Sequence, residues 1–74
     1  MWWLSFTDAD TGKFLGVAVV EAPGFFTAVS QAHLEGCNPG GAVVGYEVPD
    51  DVTIPEDCLN RLLTYAELEF RELV

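Results

Sequence analysis

The first seven residues alternate: Trp2, Leu4 and Phe6 fall on one side of an extended chain, Trp3, Ser5 and Thr7 on the other. A period of two predicts a strand with one strongly apolar face. Asp8-Ala9-Asp10-Thr11-Gly12 then supplies turn chemistry, since Asp side chains bond nearby backbone N–H groups and glycine takes positive φ without steric cost. Residues 13–21 are β-branched and apolar at both parities, which predicts a return strand buried on both faces and hence a hairpin.

After Ala22-Pro23-Gly24 the period changes. Over residues 25–35, Phe25, Ala28, Val29 and Ala32 share one helical face, with Phe26 and His33 on its edge and Leu34 amid the polar residues. Gly36 suits a C-terminal cap, and Asn38-Pro39-Gly40-Gly41 cannot continue a helix. Residues 42–48 predict a third strand, with Ala42, Val44, Tyr46 and Val48 on one side and Pro49-Asp50-Asp51 to stop it. A last helical stretch is expected to open at Pro55, with Glu56 and Asp57 at the positive end of its dipole. Cys58, Leu59, Leu62, Leu63, Ala66, Phe70 and Leu73 form its apolar stripe. Thr64-Tyr65-Ala66-Glu67 also fits a capping box, which leaves open one helix or two.

The order ββαβα predicts an α+β fold: a single two-layer domain over residues 1–74, its three-stranded, mainly antiparallel sheet covered by two helices. The strand order 2-1-3 makes best use of the Trp2, Leu4 and Phe6 face. The alternative sets the third strand beside the second through a right-handed crossover.

Charge changes the picture more than length does. Twelve carboxylates face three basic residues, Lys13, Arg61 and Arg71, for a net charge of −9 on 74 residues that are 50% hydrophobic. Disorder requires low hydrophobicity as well as high charge, so the chain is expected to fold. Phosphate binding needs lysine and arginine, which argues against direct nucleic-acid contact and against anionic membranes. No apolar run approaches the ~20 residues of a membrane span. The N-terminus lacks a basic start and a small-residue cleavage site, so a cytoplasmic protein with reduced thiols is expected.

Asp57 precedes Arg61 by four residues and Glu67 precedes Arg71 by four, the favourable order for helix pairs. Eight of the twelve acids lie from Glu47 onward. The candidate partner-binding residues are therefore Glu47, Asp50, Asp51, Glu56, Glu67, Glu69 and Glu72. Such a surface either keeps the chain soluble or docks on a basic partner in the manner of DNA, whose charges recur every ~1.7 Å. Trp3, Leu34 and Leu68 lack an inside place in this scheme and form a candidate apolar interface, as in a homodimer.

Groups with catalytic chemistry are sparse. His33 and Cys37 with Glu35 suggest a thiol–imidazole pair, but the thiol stands at a helix C-terminal end, where the dipole raises its pKa, and no group orients the imidazole. His33, Cys37, Asp57 and Cys58 lack zinc-ligand spacing, and a Cys37–Cys58 disulfide does not suit a reducing compartment. Asp8-x-Asp10-x-Gly12 lacks the later ligands of a calcium loop. Asn38-Pro39-Gly40-Gly41 has no following lysine and comes after a helix, unlike a phosphate loop. The expectation is a binding protein without cofactor or enzymatic activity.

Phe14-Leu15-Gly16, Val20-Glu21-Ala22, Asn38-Pro39-Gly40-Gly41, Gly45-Tyr46-Glu47-Val48-Pro49 and Asn60-Arg61-Leu62-Leu63 together resemble a group of short bacterial and phage-borne reading frames. The resemblance spans residues 13–63 and implies neither an activity nor site residues. In type rather than in sequence, the chain also resembles small acidic phage-encoded inhibitors, anti-CRISPR proteins among them. The function expected is an inhibitor or adaptor that docks its negative surface on a basic, nucleic-acid-binding protein. The alternative is a self-associating module whose acidity serves solubility.

Overall fold

The computed structural model describes residues 1–70. The hairpin forms as its sequence dictates. β1 (Trp2–Thr7) and β2 (Phe14–Val20) pair antiparallel, with Leu4 opposite Ala18 and Trp2 opposite Val20. In the turn, Asp8 Oδ1 accepts from the N–H groups of Asp10 and Thr11 at 2.9 and 3.0 Å. Those two bonds, Thr11's the larger influence, hold the Asp8 carboxyl below its ordinary pKa because they favour the charged form. Near the turn the register shifts between Phe6 and Thr7, and Gly16 stands opposite Phe6 with φ +148°.

α1 (Phe25–Leu34) lays Ala28 and Ala32 on the sheet. It ends in a Schellman arrangement around Gly36 at φ +72°: Cys37 N–H donates to the Ala32 carbonyl and Gly36 N–H to that of His33. β3 (Ala42–Glu47) then pairs with the free side of β1, so strands 2-1-3 lie in the expected order. Gly45 makes this approach possible. A Cβ there would run into the Phe25 ring, which closes over the strand at that point.

The remainder departs from expectation. Residues 55–64 are not a helix. A single 3-10 turn, Glu56–Cys58, leads to β4 (Leu62–Leu63), and only then does α2 (Tyr65–Phe70) begin. Asn60 takes a left-handed φ of +57° between them, where its N–H donates to the Val19 carbonyl. A short apolar run can serve a strand or a helix. Here β2 decides, because its apolar outer edge gains hydrogen bonds from Leu62 and Leu63, opposite Ala18 and Val17. The break at Thr64 is the one its capping signature announces, with Glu67 N–H donating to Thr64 Oγ1.

The sheet thus has four antiparallel strands in the order β3-β1-β2-β4, one more than expected. It also has cover on both faces, which corrects the two-layer arrangement. α1 closes one face over Leu4, Phe6, Ala18 and Val20. The C-terminal arm closes the other with Cys58, Leu63 and Leu68 over Val17 and Val19. Each fully buried Leu, Val or Phe among them is worth roughly 1.5–3 kcal/mol, so both apolar layers contribute to stability. Among the described residues no helix is long and apolar enough to cross a membrane.

Candidate functional site

The C-terminal arm does not reach the whole of the second face. It covers β2 and reaches Trp3 of β1, which packs against its core, but leaves Val44 and Tyr46 of β3 exposed. There Trp3 stands opposite Tyr46, and Ser5 opposite Val44. Tyr46 is 60% exposed and Val44 53%. The chain leaving β3 bends around Trp3 and Tyr46, so that Val48, Pro49, Val52 and Ile54 complete a shallow, largely apolar groove of about 300 Å³.

One end of this groove is acidic. Glu47 is the last residue of β3 and lines the groove, and a tight turn follows in which Val52 N–H donates to the Pro49 carbonyl at 3.0 Å. That bond sets Asp50 and Asp51 at the two central positions of the turn, both exposed. Among the described residues none of Glu47, Asp50 and Asp51 makes an ion pair, whereas Arg61 and Glu67 do, at 2.7 Å.

The other expected partner-binding residues are placed differently. Glu56 is exposed on the 3-10 turn, and Glu69 is exposed on α2 beside Ala66 and Phe70. Glu67 is held by Arg61, whose Nε also donates to the Asp57 carbonyl at 2.6 Å. Glu67 is therefore part of a clasp between the 3-10 turn and α2. Asp57 and Arg61 do meet, though not across an α-helical turn: Asp57 stands in the 3-10 turn and its carbonyl accepts from Arg61 Nε. Glu72, and Arg71 as a partner of Glu67, lie outside the described residues.

The candidate apolar interface is also corrected. Leu68 is fully buried under β2, because the second sheet face has a cover that the two-layer scheme did not supply. Leu34 is 78% exposed on α1, whereas Trp3 belongs to the opposite sheet face. The three do not form one patch.

The reactive side chains are separated by the sheet. Cys37 is buried on the α1 face and Cys58 on the other, both as free thiols. Cys37 Sγ donates to the Ala32 carbonyl at 3.4 Å, and burial is the chief cause that pushes this thiol above its usual pKa. A protonated donor thiol is a poor nucleophile. His33 is exposed, and among the described residues no group of three or more His, Cys, Asp or Glu is placed to hold a metal ion.

The groove itself escaped the sequence reading, though a signal existed. Val44 and Tyr46 make one side of β3 apolar and, in the register adopted, share the sheet face of Trp3, whereas the other side offers Val43 and Gly45, which suits close approach by Phe25. No family model matches the chain, and neither a curated protein nor a solved structure does.

Proposed function

We propose that the protein is a small acidic binding module that docks on a basic surface of another protein, as an inhibitor or adaptor of a nucleic-acid-binding partner. The observation that carries this reading is the juxtaposition at the end of β3. An open apolar groove around Trp3, Tyr46 and Val52 runs into Glu47, Asp50 and Asp51, which have no ion-pair partner among the described residues.

The two parts do different work. Apolar and aromatic side chains at the centre of an interface supply most of its binding energy. Carboxylates at the rim steer a basic partner in and reject an acidic one. A net charge of −9 extends that steering over the whole molecule. Lys13 is the only lysine, so little positive charge opposes it.

The test is capture from a host lysate with the tagged protein, beside a variant carrying Asp50→Lys and Asp51→Lys. A nucleic-acid-handling protein held at low salt, released at high salt and absent from the variant's eluate is the expected result. Equal retention by both proteins at high salt would contradict the reading.

A further inference from the structure

β3 stands at one end of the sheet and offers six residues of strand; β4, at the other end, has two. Val48 N–H donates to the Met1 carbonyl, continuing the register in which Trp2 opposes Glu47. In an antiparallel pair, opposed residues alternate between exchanging both hydrogen bonds and exchanging none. Tyr46 and Val44 therefore bond to β1, whereas Val43, Gly45 and Glu47 aim their N–H and C=O groups away from it. No backbone group among the described residues takes these up.

A free edge of this length is a template for another strand. Proteins blunt such edges with lysine, proline, a bulge or an inward-pointing charge. β3, with the sequence Ala42-Val43-Val44-Gly45-Tyr46-Glu47, pairs with β1 without a register shift and bears one charge, on its last residue. Both of its faces are bordered by apolar surface. On one lie Val44, Tyr46 and the groove. On the other the Phe25 ring lies over Gly45, and the ring of Phe26, 84% exposed, is 5.5 Å from that of Phe25. Alternate side chains of an added strand would meet apolar surface on each face.

Charge selects the occupant. A second copy would bring a further −9 against the first, with the same Glu47, Asp50 and Asp51 at the end of its own β3. An extended segment with lysine or arginine would instead meet Glu47, Asp50 and Asp51 at the end of the edge.

We propose that the outer edge of β3 takes up, by strand addition, an extended segment of a partner protein that is apolar along the edge and basic at the end beside Glu47, Asp50 and Asp51. The proposal rests on the reading of the protein as an acidic docking module, and it names the part of the partner that is bound. Main-chain bonds to Val43, Gly45 and Glu47 give affinity, and the two apolar borders with the carboxylates give selectivity.

The probe is a short, end-blocked synthetic peptide of valine and threonine with lysines at one end, together with a copy N-methylated at every internal amide. Binding is read by NMR titration and by amide hydrogen exchange. The first peptide is expected to slow exchange at Val43, Gly45 and Glu47 by about tenfold or more. The methylated copy is expected to bind roughly tenfold more weakly or worse. Val43→Pro removes one outward N–H at a position where an edge strand accepts proline, and it should weaken peptide binding likewise. If that variant fails to fold, the two peptides still decide. Equal, salt-sensitive binding of both peptides would overturn strand addition and leave acidic docking standing. Equal binding insensitive to salt would overturn both. Protection of the same amides without peptide, in a dimer, would overturn the choice of occupant in favour of a second copy.

Discussion

Trp3 and Tyr46 stand opposite each other across β1 and β3, on a sheet face that the C-terminal arm covers only in part: Trp3 packs against the core beneath it and Tyr46 is exposed. The pair is apolar, partly solvated, and continuous with the turn that presents Asp50 and Asp51. Tyr46→Ala removes half of this pair without opening a core. It is expected to weaken binding of a captured partner by roughly 1–2 kcal/mol, in the range of interface aromatics. The melting temperature should shift by less than about 5 °C. Isothermal titration and thermal melts check the two halves separately, and a variant that melts early without losing affinity would contradict this role.

The arm that covers the other half of that face is held by packing more than by charge. Leu68→Ala empties a fully buried site and is expected to cost about 2–5 kcal/mol. The Arg61–Glu67 pair, 42% and 37% exposed at its side chains, is screened by water. Glu67→Gln should therefore cost less than about 1 kcal/mol. Urea denaturation of the two variants gives the comparison, and similar losses would contradict the ranking.

Two glycines with the same sign of φ separate strain from crowding. Gly12 at φ +72° has open space where a Cβ would go, whereas at Gly41, φ +76°, a Cβ would strike the Thr7 carbonyl oxygen. Gly12→Ala is expected to cost about 1–2 kcal/mol for the left-handed backbone alone. Gly41→Ala must also shift β3 away from β1 and should cost clearly more. Equal midpoints in urea would show that the approach of β3 is not fixed there.

Cys37 links stability to pH. Burial raises its thiol above the usual value near 9.0, so the folded state prefers the protonated form. The stability from this preference is fully present below the unfolded thiol's pKa and is lost as pH rises through the folded one. The protein should therefore weaken in alkaline solution, and Cys37→Ser should flatten that part of the curve. Alkylation of the native protein at neutral pH should be much slower than in urea. Fast native alkylation would contradict the burial of this thiol.

How much was legible in the sequence depended on how local the deciding interaction is. The hairpin, α1 and its Gly36 cap are settled by neighbours in sequence, and Asp8, Ala28 and Gly36 state them openly. The strand order 2-1-3 followed from the apolar face of β1. The C-terminal arm was not legible. Leu62 and Leu63 fit a helical stripe as well as a strand, and the contest was decided by the edge of β2, more than forty residues away in sequence. The same distant contact buried Leu68, and Glu67 beside it pairs with Arg61 at the surface. The turn at Asp50 and Asp51 was legible because proline and aspartate mark a turn by themselves. The groove beside it was not, since it exists only where the arm stops short.

The most direct test of acidic docking is the dissociation constant of the captured partner, followed from about 0.1 to about 0.5 M salt, for the protein and for the variant with Asp50→Lys and Asp51→Lys. The account predicts that affinity falls about tenfold or more over this range, and that the variant binds weakly even at the low end. An affinity unchanged by salt and by charge reversal would contradict it, and would leave the carboxylates a role in solubility alone.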